Sequence, residues 1–222
     1  MASINATTSS GIVATADNTG TLQLQTVGTN AINIDASQRA AFVAGTAALP
    51  AITTSGDTNT GMFFPAADTI AFAEGGTEAM RLDSSGRVTM SSQPGFNAFA
   101  SATNWGWNNS VLPFDSVVTN RGGNFNTSTR TFTAPVAGLY VFVIRGTPSG
   151  SFGSFNWILQ VNGSNSRYIG ATSGLPSANQ ALVGTNVIYL NANDAIRVYG
   201  TGSHTGMISG ALDNEFSGYL LG

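Results

Sequence analysis

The stretch that decides the fold is FTAPVAGLYVFVIRG, residues 132–146. A turn-like segment that ends at Gly138 leads into six consecutive apolar residues, Leu139 to Ile144, before Arg145. Successive side chains of a strand point to opposite faces, so this strand is apolar on both sides. A strand on the surface of a sheet would alternate apolar with polar residues. The stretch therefore predicts a strand whose second face is covered by a further layer of protein.

Composition excludes two classes of partner. The chain has 222 residues, of which 42% are apolar and only 9% are charged, and its net charge is −3. Its eight basic residues are all arginines, scattered singly along the sequence. Nucleic acids and anionic membranes attract clustered basic side chains, so neither is an expected partner. Because the sequence has no cysteine, disulfides and thiolate metal sites are also excluded.

The beginning of the sequence shows no export or membrane signal. MASINATTSSGIV has neither the basic nor the apolar segment of a signal peptide. No apolar run approaches the about 20 residues of a membrane-spanning helix, so no membrane insertion is expected. We therefore expect synthesis in a cytoplasm, with any release by another route such as cell lysis.

Short runs of Thr, Val, Ile and Phe, punctuated by Gly, Asn, Asp and Ser, predict an all-β protein. The longest helix-like stretch, DASQRAAFVAG at 35–45, belongs to an internal repeat. TNAINIDASQRAAF (29–42) aligns without a gap with TEAMRLDSSGRVTM (77–90), and the shared Asp-x-Ser-x-Arg is a turn signature. Matching elements precede the copies, DNTGTLQL at Asp17 and DTNTGMFF at Asp57. Each unit is therefore predicted to be three strands joined by two turns.

These repeats are too small to fold as isolated units. Their short strands and small apolar side chains bury too little surface to offset chain entropy, whereas three chains wound about one axis would cover them. Residues 10–90, in particular GDTNTGMF and the DSSGR turn, resemble the repeats of bacteriophage tail fibres and related virion fibres. The resemblance implies that residues 1–90 form a trimeric β-repeat stem that attaches to the virion. The alternative is a low-complexity linker.

The character of the sequence changes after SSQPG, residues 91–95, which we interpret as a linker. Residues 96–222 have more aromatic side chains and longer strands, and predict a single domain. Their spacing resembles the globular head of complement component 1q, a relative in fold of the tumour necrosis factors. The resemblance is carried by Phe114, Asn120, Phe125, Phe132, Gly138-x-Tyr140-x-Phe142, ILQVNG (158–163), VIYLNANDAIRVYG (187–200) and FSGYLL (216–221). It departs at Ile144, where the family pattern has an aromatic residue, and at Asn193-Asp194, where it has Gly-Asp.

The resemblance implies a ten-stranded jelly-roll sandwich that assembles as a closed homotrimer. One face of the doubly apolar strand would then enter the sandwich of its own subunit, and the other face would be a candidate for the three-fold interface. The residues assigned to the core or to this interface are Phe114, Phe132, Tyr140, Phe142, Ile144, Phe216 and Tyr219. The alternative is a monomeric sandwich in which helices or loops cover the second face.

Little in the sequence indicates catalysis. His204, the only histidine, lies in the Gly-rich stretch GTGSHTGMISG, where a catalytic base would be poorly held. Ser203 or Ser209, together with His204 and Asp213, would supply the residue types of a Ser-His-Asp catalytic triad, but no nucleophile-elbow motif is present. No enzyme activity is therefore predicted, and calcium is the one cofactor considered. The carboxylates that could bind it are Asp115, Asp194, Asp213 and Glu215.

Two features favour recognition. Trp105 and Trp107 share one side of an extended chain in TNWGWNN, as a stacking surface for sugar rings requires. Residues 147–157 and 162–180 are predicted to be long loops that offer Ser and Asn hydrogen-bonding groups. The further ligand contacts predicted in these loops are Phe152, Phe155, Arg167 and Tyr168. The alternative is that the aromatic residues belong to the core of the sandwich.

Together these patterns predict a trimeric virion fibre, with an N-terminal stem that binds other virion proteins and a head directed outward. Two functions stay open. In the first, the head binds a glycan or protein on the host cell surface. In the second, the chain is a structural head fibre or a decoration protein of the capsid or tail. A depolymerase spike is the enzymatic alternative.

Overall fold

The structure, a computed structural model, describes residues 20–150, 153–172 and 179–221. All the regular secondary-structure elements in these ranges are strands, which confirms the predicted all-β class. The chain divides into two compact units, residues 1–91 and 92–222. No helix in the described ranges is long and apolar enough to cross a membrane.

The first unit has two antiparallel sheets. Its strands within the described residues are β1 (Leu22–Thr26), β2 (Thr29–Ile34), β3 (Ala40–Phe42), β4 (Ile52–Thr54), β5 (Asp57–Phe63), β6 (Ile70–Glu74), β7 (Thr77–Leu82) and β8 (Val88–Thr89). One sheet has the order β1-β2-β3 and the other has the order β4-β5-β6-β7-β8. Because neighbours in sequence are neighbours in each sheet, the described part of this unit is built from local hairpins.

The first three and the last three strands of this unit are two copies of one motif. Leu22 pairs with Ile34 between β1 and β2, as Ile70 pairs with Leu82 between β6 and β7. Both hairpins shift register after the third residue of their first strand. Strands β3 and β8 then complete the two copies. The two stretches aligned from the sequence therefore occupy equivalent positions in the structure.

The upstream match expected from the sequence is wrong. DTNTGMFF begins at Asp57 and forms β5, whereas the strand equivalent to β1 is β6. Strands β4 and β5 instead extend the second sheet beyond the repeated motif. The earlier stretch begins at Asp17, which lies outside the described residues.

One aspartate builds the turn that the two copies share. In the first copy, Asp35 Oδ1 accepts hydrogen bonds from the backbone N–H groups of Ser37 (2.9 Å) and Arg39 (3.0 Å), and Oδ2 accepts one from Arg39 Nε (2.8 Å). Asp83 makes the same bonds in the second copy, at 2.9, 3.0 and 2.8 Å. These bonds lower the pKa of both carboxyls, and the largest contribution comes from the backbone N–H of the arginine. The Asp-x-Ser-x-Arg pattern is therefore a turn, as predicted.

Each sheet of the first unit has an apolar row that is partly open to solvent. The rows of cross-strand neighbours are Leu24, Ile32 and Phe42 in one sheet and Ile52, Met62, Phe72 and Met80 in the other. Phe42 and Phe72 are both 40% exposed. The buried cluster in the described part of this unit comprises Phe63, Ala71 and Ala73. A single chain therefore leaves much of the apolar surface of this unit uncovered.

The second unit is a sandwich of two antiparallel sheets. Its strands are β9 (Gly95–Phe99), β10 (Trp105–Val111), β11 (Ser116–Arg121), β12 (Phe125–Asn126), β13 (Thr131–Thr133), β14 (Gly138–Gly146), β15 (Phe155–Val161), β16 (Ser164–Thr172), β17 (Leu182–Leu190), β18 (Ala195–Met207) and β19 (Asn214–Leu220). The six-stranded sheet has the order β12-β13-β18-β15-β16, with β10 also paired to β18. The five-stranded sheet has the order β11-β9-β19-β14-β17. The predicted jelly-roll class is confirmed. The described part of the domain has eleven strands rather than ten, and one of them, β12, consists of only two residues that pair with β13.

Stacked phenylalanines join the two sheets of this sandwich. Phe96 of β9 lies 4.7 Å from Phe125 and 5.0 Å from Phe132, both on the facing sheet, as measured between ring centroids. Six of the residues predicted for the core or interface are at most 1% exposed in this core: Phe114, Phe132, Tyr140, Phe142, Ile144 and Phe216. Tyr219 is different, since it is 46% exposed.

Strand β14 shows why the opening stretch is apolar on both faces. Its inward side chains Tyr140, Phe142 and Ile144 are fully buried. On the opposite face Leu139 is 46% exposed, and Val141 and Val143 are only partly buried. Since β14 lies between β19 and β17, this second face belongs to an internal strand and not to an edge of the sheet. The described part of the chain leaves it without a full cover.

Candidate functional site

The outer face of the five-stranded sheet is apolar around β14. Leu139 lies opposite Tyr189, and Val141 lies between Val187 and Tyr219. The three residues contributed by the neighbouring strands, Val187, Tyr189 and Tyr219, are 53%, 61% and 46% exposed. We name this surface the apolar sheet face; it comprises Leu139, Val141, Val143, Val187, Tyr189 and Tyr219. Contiguous exposed apolar surface of this kind is typical of protein contact sites.

The prediction that Trp105 and Trp107 form an exposed stacking surface is wrong. Each is only 4% exposed, and their indole N–H groups donate to the carbonyls of Ile208 (2.9 Å) and Thr201 (2.8 Å). Trp107 lies directly on Gly200, where an added Cβ would come within 2.5 Å of the indole. The spacing of two residues does place both rings on one side of β10, but that side faces the core. The tryptophans therefore belong to the core, which was the alternative interpretation.

Phe155 is also a core residue, so its prediction as a ligand contact is wrong. It is 3% exposed, and its ring centroid lies 5.2 Å from that of Trp107 and 5.1 Å from that of Trp157. It is the first residue of β15, and much of the loop expected at 162–180 is the strand β16. Phe152 lies outside the described residues.

The other two predicted contacts, Arg167 and Tyr168, are exposed neighbours on β16. Tyr168 is 67% exposed and lies opposite Ile158 of β15, which is only 6% exposed. Arg167 Nη1 donates to the carbonyl of Ser166 at 3.0 Å, which restrains the guanidinium. These four residues and Asn165 line a cavity of about 160 Å³. We name it the Arg167–Tyr168 cavity.

A hydrogen-bond network beside this cavity includes Asn165, Gln160 and Arg197, which sequence analysis did not identify. Arg197 Nε donates to Gln160 Oε1 (2.8 Å), and Gln160 Nε2 donates to Asn165 Oδ1 (3.0 Å). A guanidinium can only donate, so Gln160 presents its oxygen to Arg197 and its NH₂ group to Asn165. Asn165 must then accept with its own oxygen, which leaves its NH₂ group as a donor at the cavity. The available sequence signal was a polar residue in each of two largely apolar segments, Gln160 in ILQV (158–161) and Arg197 in AIRV (195–198).

The charge of the cavity lining is positive. Arg167 is the only charged residue among those that line it. The ion pairs found in the described ranges are Arg39–Asp35, Arg81–Glu78 and Arg87–Asp83, all in the first unit. Neither Arg167 nor Arg197 therefore has a described carboxylate within ion-pair distance. The cavity offers hydrogen-bond donors and one positive charge to a ligand.

The carboxylates considered for calcium do not form one site. Across the described residues, no group of three or more His, Cys, Asp or Glu side chains could hold a metal ion. Asp194 accepts hydrogen bonds from Asn162 Nδ2 and the Asn191 N–H, both at 2.8 Å, and these bonds lower its pKa. Glu215 accepts from Asn97 Nδ2 at 3.0 Å, Asp115 accepts from the Ser101 N–H at 2.9 Å, and Asp213 lies in the turn before β19. The three that accept these bonds organise local structure.

His204 packs among aromatic rings of the core. Its ring centroid lies 5.1 Å from Trp107 and 5.3 Å from Phe155. Thus the histidine belongs to strand β18, not to a loose Gly-rich loop as expected. Its surroundings are those of a packed structural side chain.

The fold and its residue pattern define a family. The sequence profile of the C1q domain matches residues 96–221, which is more than half of the chain. The chain therefore belongs to the C1q domain family, and the matching domain lies in its second unit. No curated protein matches the chain.

Several solved structures are similar to part of this chain. The globular domain of zebrafish complement 1qA protein is 17% identical over 59% of this chain and 98% of its own, with a TM-score of 0.48. Eiger TNF from S. frugiperda is 11% identical over 59% of this chain and 93% of its own, with a TM-score of 0.47. Murine APRIL is 11% identical over 58% of this chain and 99% of its own, with a TM-score of 0.46.

Proposed function

We propose that the chain is a homotrimeric fibre protein of a bacteriophage virion, and that its C1q domain binds a glycan on the host cell surface. The observation that carries the proposal is that the two sheets of this domain expose different chemistry. The five-stranded sheet exposes the apolar sheet face, whereas the six-stranded sheet exposes the polar Arg167–Tyr168 cavity. The first surface suits contact between subunits, and the second suits a polar ligand.

The apolar sheet face supports assembly. A closed three-fold ring repeats one contact between two different patches three times, so each buried side chain counts three times. Leu139, Val187 and Tyr189 would be covered in such a ring, while a single chain leaves each at least 46% exposed. The cover that the doubly apolar strand requires would then come from neighbouring copies.

The first unit supports an elongated stem. Its two copies of the strand motif carry apolar rows at matching positions, and each copy is closed by the same aspartate turn. A repeated motif with an uncovered apolar row suits winding with identical chains. Together with the resemblance to virion fibre repeats, this favours a stem that attaches to the virion through its N-terminal region.

Glycan recognition is proposed for the head because the cavity combines an exposed aromatic ring with hydrogen-bond donors. Tyr168 offers a flat surface, and Arg167 and Asn165 offer N–H groups. Three such sites around one axis could bind the same cell surface together, so the trimer would bind more tightly than one weak site does. The proposed role of the head is therefore binding rather than catalysis.

The experiment compares virions that contain the chain with the bacteria they infect. The purified full chain should bind those cells and compete with adsorption of the virions. Arg167→Gln should bind the cells less well and compete less, while remaining an oligomer of unchanged mass. If the full chain binds no host cell but binds particles through residues 1–40, the adhesion proposal fails and a structural fibre is the function that remains.

A further inference from the structure

We propose that the Arg167–Tyr168 cavity binds a carboxylated sugar, such as a uronate unit of a surface polysaccharide. This inference rests on the proposed function, because it names the class of glycan that the head would recognise. It is drawn from the donors, the apolar surface and the size of the cavity.

The strongest polar groups at the cavity, the guanidinium of Arg167 and the amide NH₂ of Asn165, are donors. Arg167 has five guanidinium N–H groups, and only Nη1 has a described partner, the carbonyl of Ser166. The network from Arg197 through Gln160 orients the amide of Asn165 so that its oxygen accepts from Gln160 and its NH₂ group has no described partner. A ligand that supplies acceptors therefore suits these two groups. A carboxylate matches the planar guanidinium fork better than any neutral acceptor does.

The apolar groups at the cavity favour a ligand with more than a charge to offer. Tyr168 presents a ring that is 67% exposed, and Ile158 is its partner on the neighbouring strand. Sugar rings have a flat C–H surface that stacks on aromatic side chains, with their hydroxyl groups left to hydrogen-bond at the edges. A carboxylated sugar would use both the charge of Arg167 and the ring of Tyr168, which line the same cavity.

Size and position favour one unit of a longer glycan. The cavity of about 160 Å³ is smaller than the about 300–1,000 Å³ of pockets that enclose drug-sized ligands. It lies on β16, which is the last strand in the order of the six-stranded sheet. A polysaccharide could therefore place one acidic unit in the cavity while its neighbouring units extend over the surface.

The test measures retention of the full chain on two conjugates that differ only in the sugar. One carries galacturonate and the other carries galactose, at equal density on the same polymer. Wild-type protein should bind the galacturonate conjugate at least about ten-fold more tightly, because a charged hydrogen-bonded pair discriminates by about this factor. Equal binding of the two conjugates, or no binding to either, would overturn the inference.

Matched variants locate the site. Arg167→Gln should lower binding of the galacturonate conjugate about ten-fold or more, and Asn165→Asp should do the same by replacing a donor with a charged acceptor. Arg121→Gln, the same change on β11 of the other sheet, is the control and should bind as the wild type does. Because Arg167 is exposed, its variant should keep the wild-type melting temperature. Unchanged binding by Arg167→Gln would refute the assignment.

Host binding separates this inference from the proposed function. If the wild-type chain binds host cells but shows no preference for galacturonate, the carboxylated sugar is wrong and adhesion stands. If it prefers galacturonate through Arg167 but binds no host cell, the site stands and the adhesion proposal fails. Competition by sodium acetate as effective as that by free galacturonate would reduce the site to a simple anion site and overturn the sugar assignment.

Discussion

Trp107 connects several parts of the head through one side chain. Its ring contacts Phe155 and Trp157, lies on Gly200, and donates its N–H to the carbonyl of Thr201. These partners lie on β15 and β18, so the ring packs β10 against the rest of the sheet. Loss of the ring would leave a cavity and an unpaired carbonyl at the same place.

Trp107→Ala should therefore lower the free energy of unfolding by about 3–5 kcal/mol, the usual cost of removing a large buried aromatic side chain. Tyr168→Ala is the matched control, because its ring is 67% exposed and its loss should cost about 0.5 kcal/mol or less. Denaturant unfolding followed by circular dichroism measures both. A Trp107→Ala variant as stable as the wild type would show that the ring is not part of the core.

The aspartate turns predict a pH dependence of the first unit. Hydrogen bonds from Arg39 and Arg87, first of all from their backbone N–H groups, lower the pKa of Asp35 and Asp83 in the folded chain. The stabilisation is therefore complete above the unfolded pKa of about 3.9 and is lost as the pH falls through the lower folded value. Asp35→Asn combined with Asp83→Asn removes these titrations. Melting curves recorded from pH 7 to pH 3 should fall more steeply in acid for the wild type; parallel curves would contradict the account.

At the scale of single residues, the sequence predicted which side chains share a face of a strand but not which face points into the core. A period of two predicts that Trp105 and Trp107 share a face, but inward and outward faces have the same period. Only the pairing of β10 with β18 shows that this face points into the core. The Gln160–Arg197 hydrogen bond was missed for a related reason, since it joins residues 37 positions apart and depends on strand register.

At the scale of elements, β14 is the strand whose nature was most predictable. Six consecutive apolar residues require cover on both faces, and the structure buries one face and leaves the other partly exposed. The strand count and the strand β16 were less predictable, because two-residue pairings and strands rich in Ser, Asn and Gly give weak patterns. The aspartate turn was predictable because its hydrogen bonds are local.

Val141→Glu tests the second face of β14. The variant would place a charge in the middle of the apolar sheet face, where burial between subunits would be strongly unfavourable. A single subunit should still fold, because Val141 lies on the outer face, opposite the core residues Tyr140 and Phe142.

Light scattering should therefore show a folded species of lower mass for Val141→Glu. Ser164→Glu, a matched change at an exposed position on the other sheet, should keep the wild-type mass. If both variants keep that mass, this face is not the interface.

At the scale of the whole molecule, the two units differ in how much apolar surface they bury alone. The buried cluster of the second unit contains large aromatic rings from both of its sheets, whereas that of the first unit is Phe63, Ala71 and Ala73. Chain entropy is offset mainly by such burial. The first unit should therefore depend on other copies of the chain far more than the second does.

Two fragments test this difference by circular dichroism. Residues 92–222 should fold and assemble without the rest of the chain, and residues 1–91 should show little ordered β signal when isolated. An ordered signal from the isolated first fragment would mean that the repeats, and not the head, begin the assembly.

The mass of the full chain in solution tests the central claim most directly, since both the cover of β14 and the proposed fibre require three copies. Multi-angle light scattering at micromolar concentration should give about 68 kDa, the mass of three chains of 22.8 kDa. A well-folded species with the mass of one chain would contradict the account, because the apolar sheet face would then be stable in water without a partner.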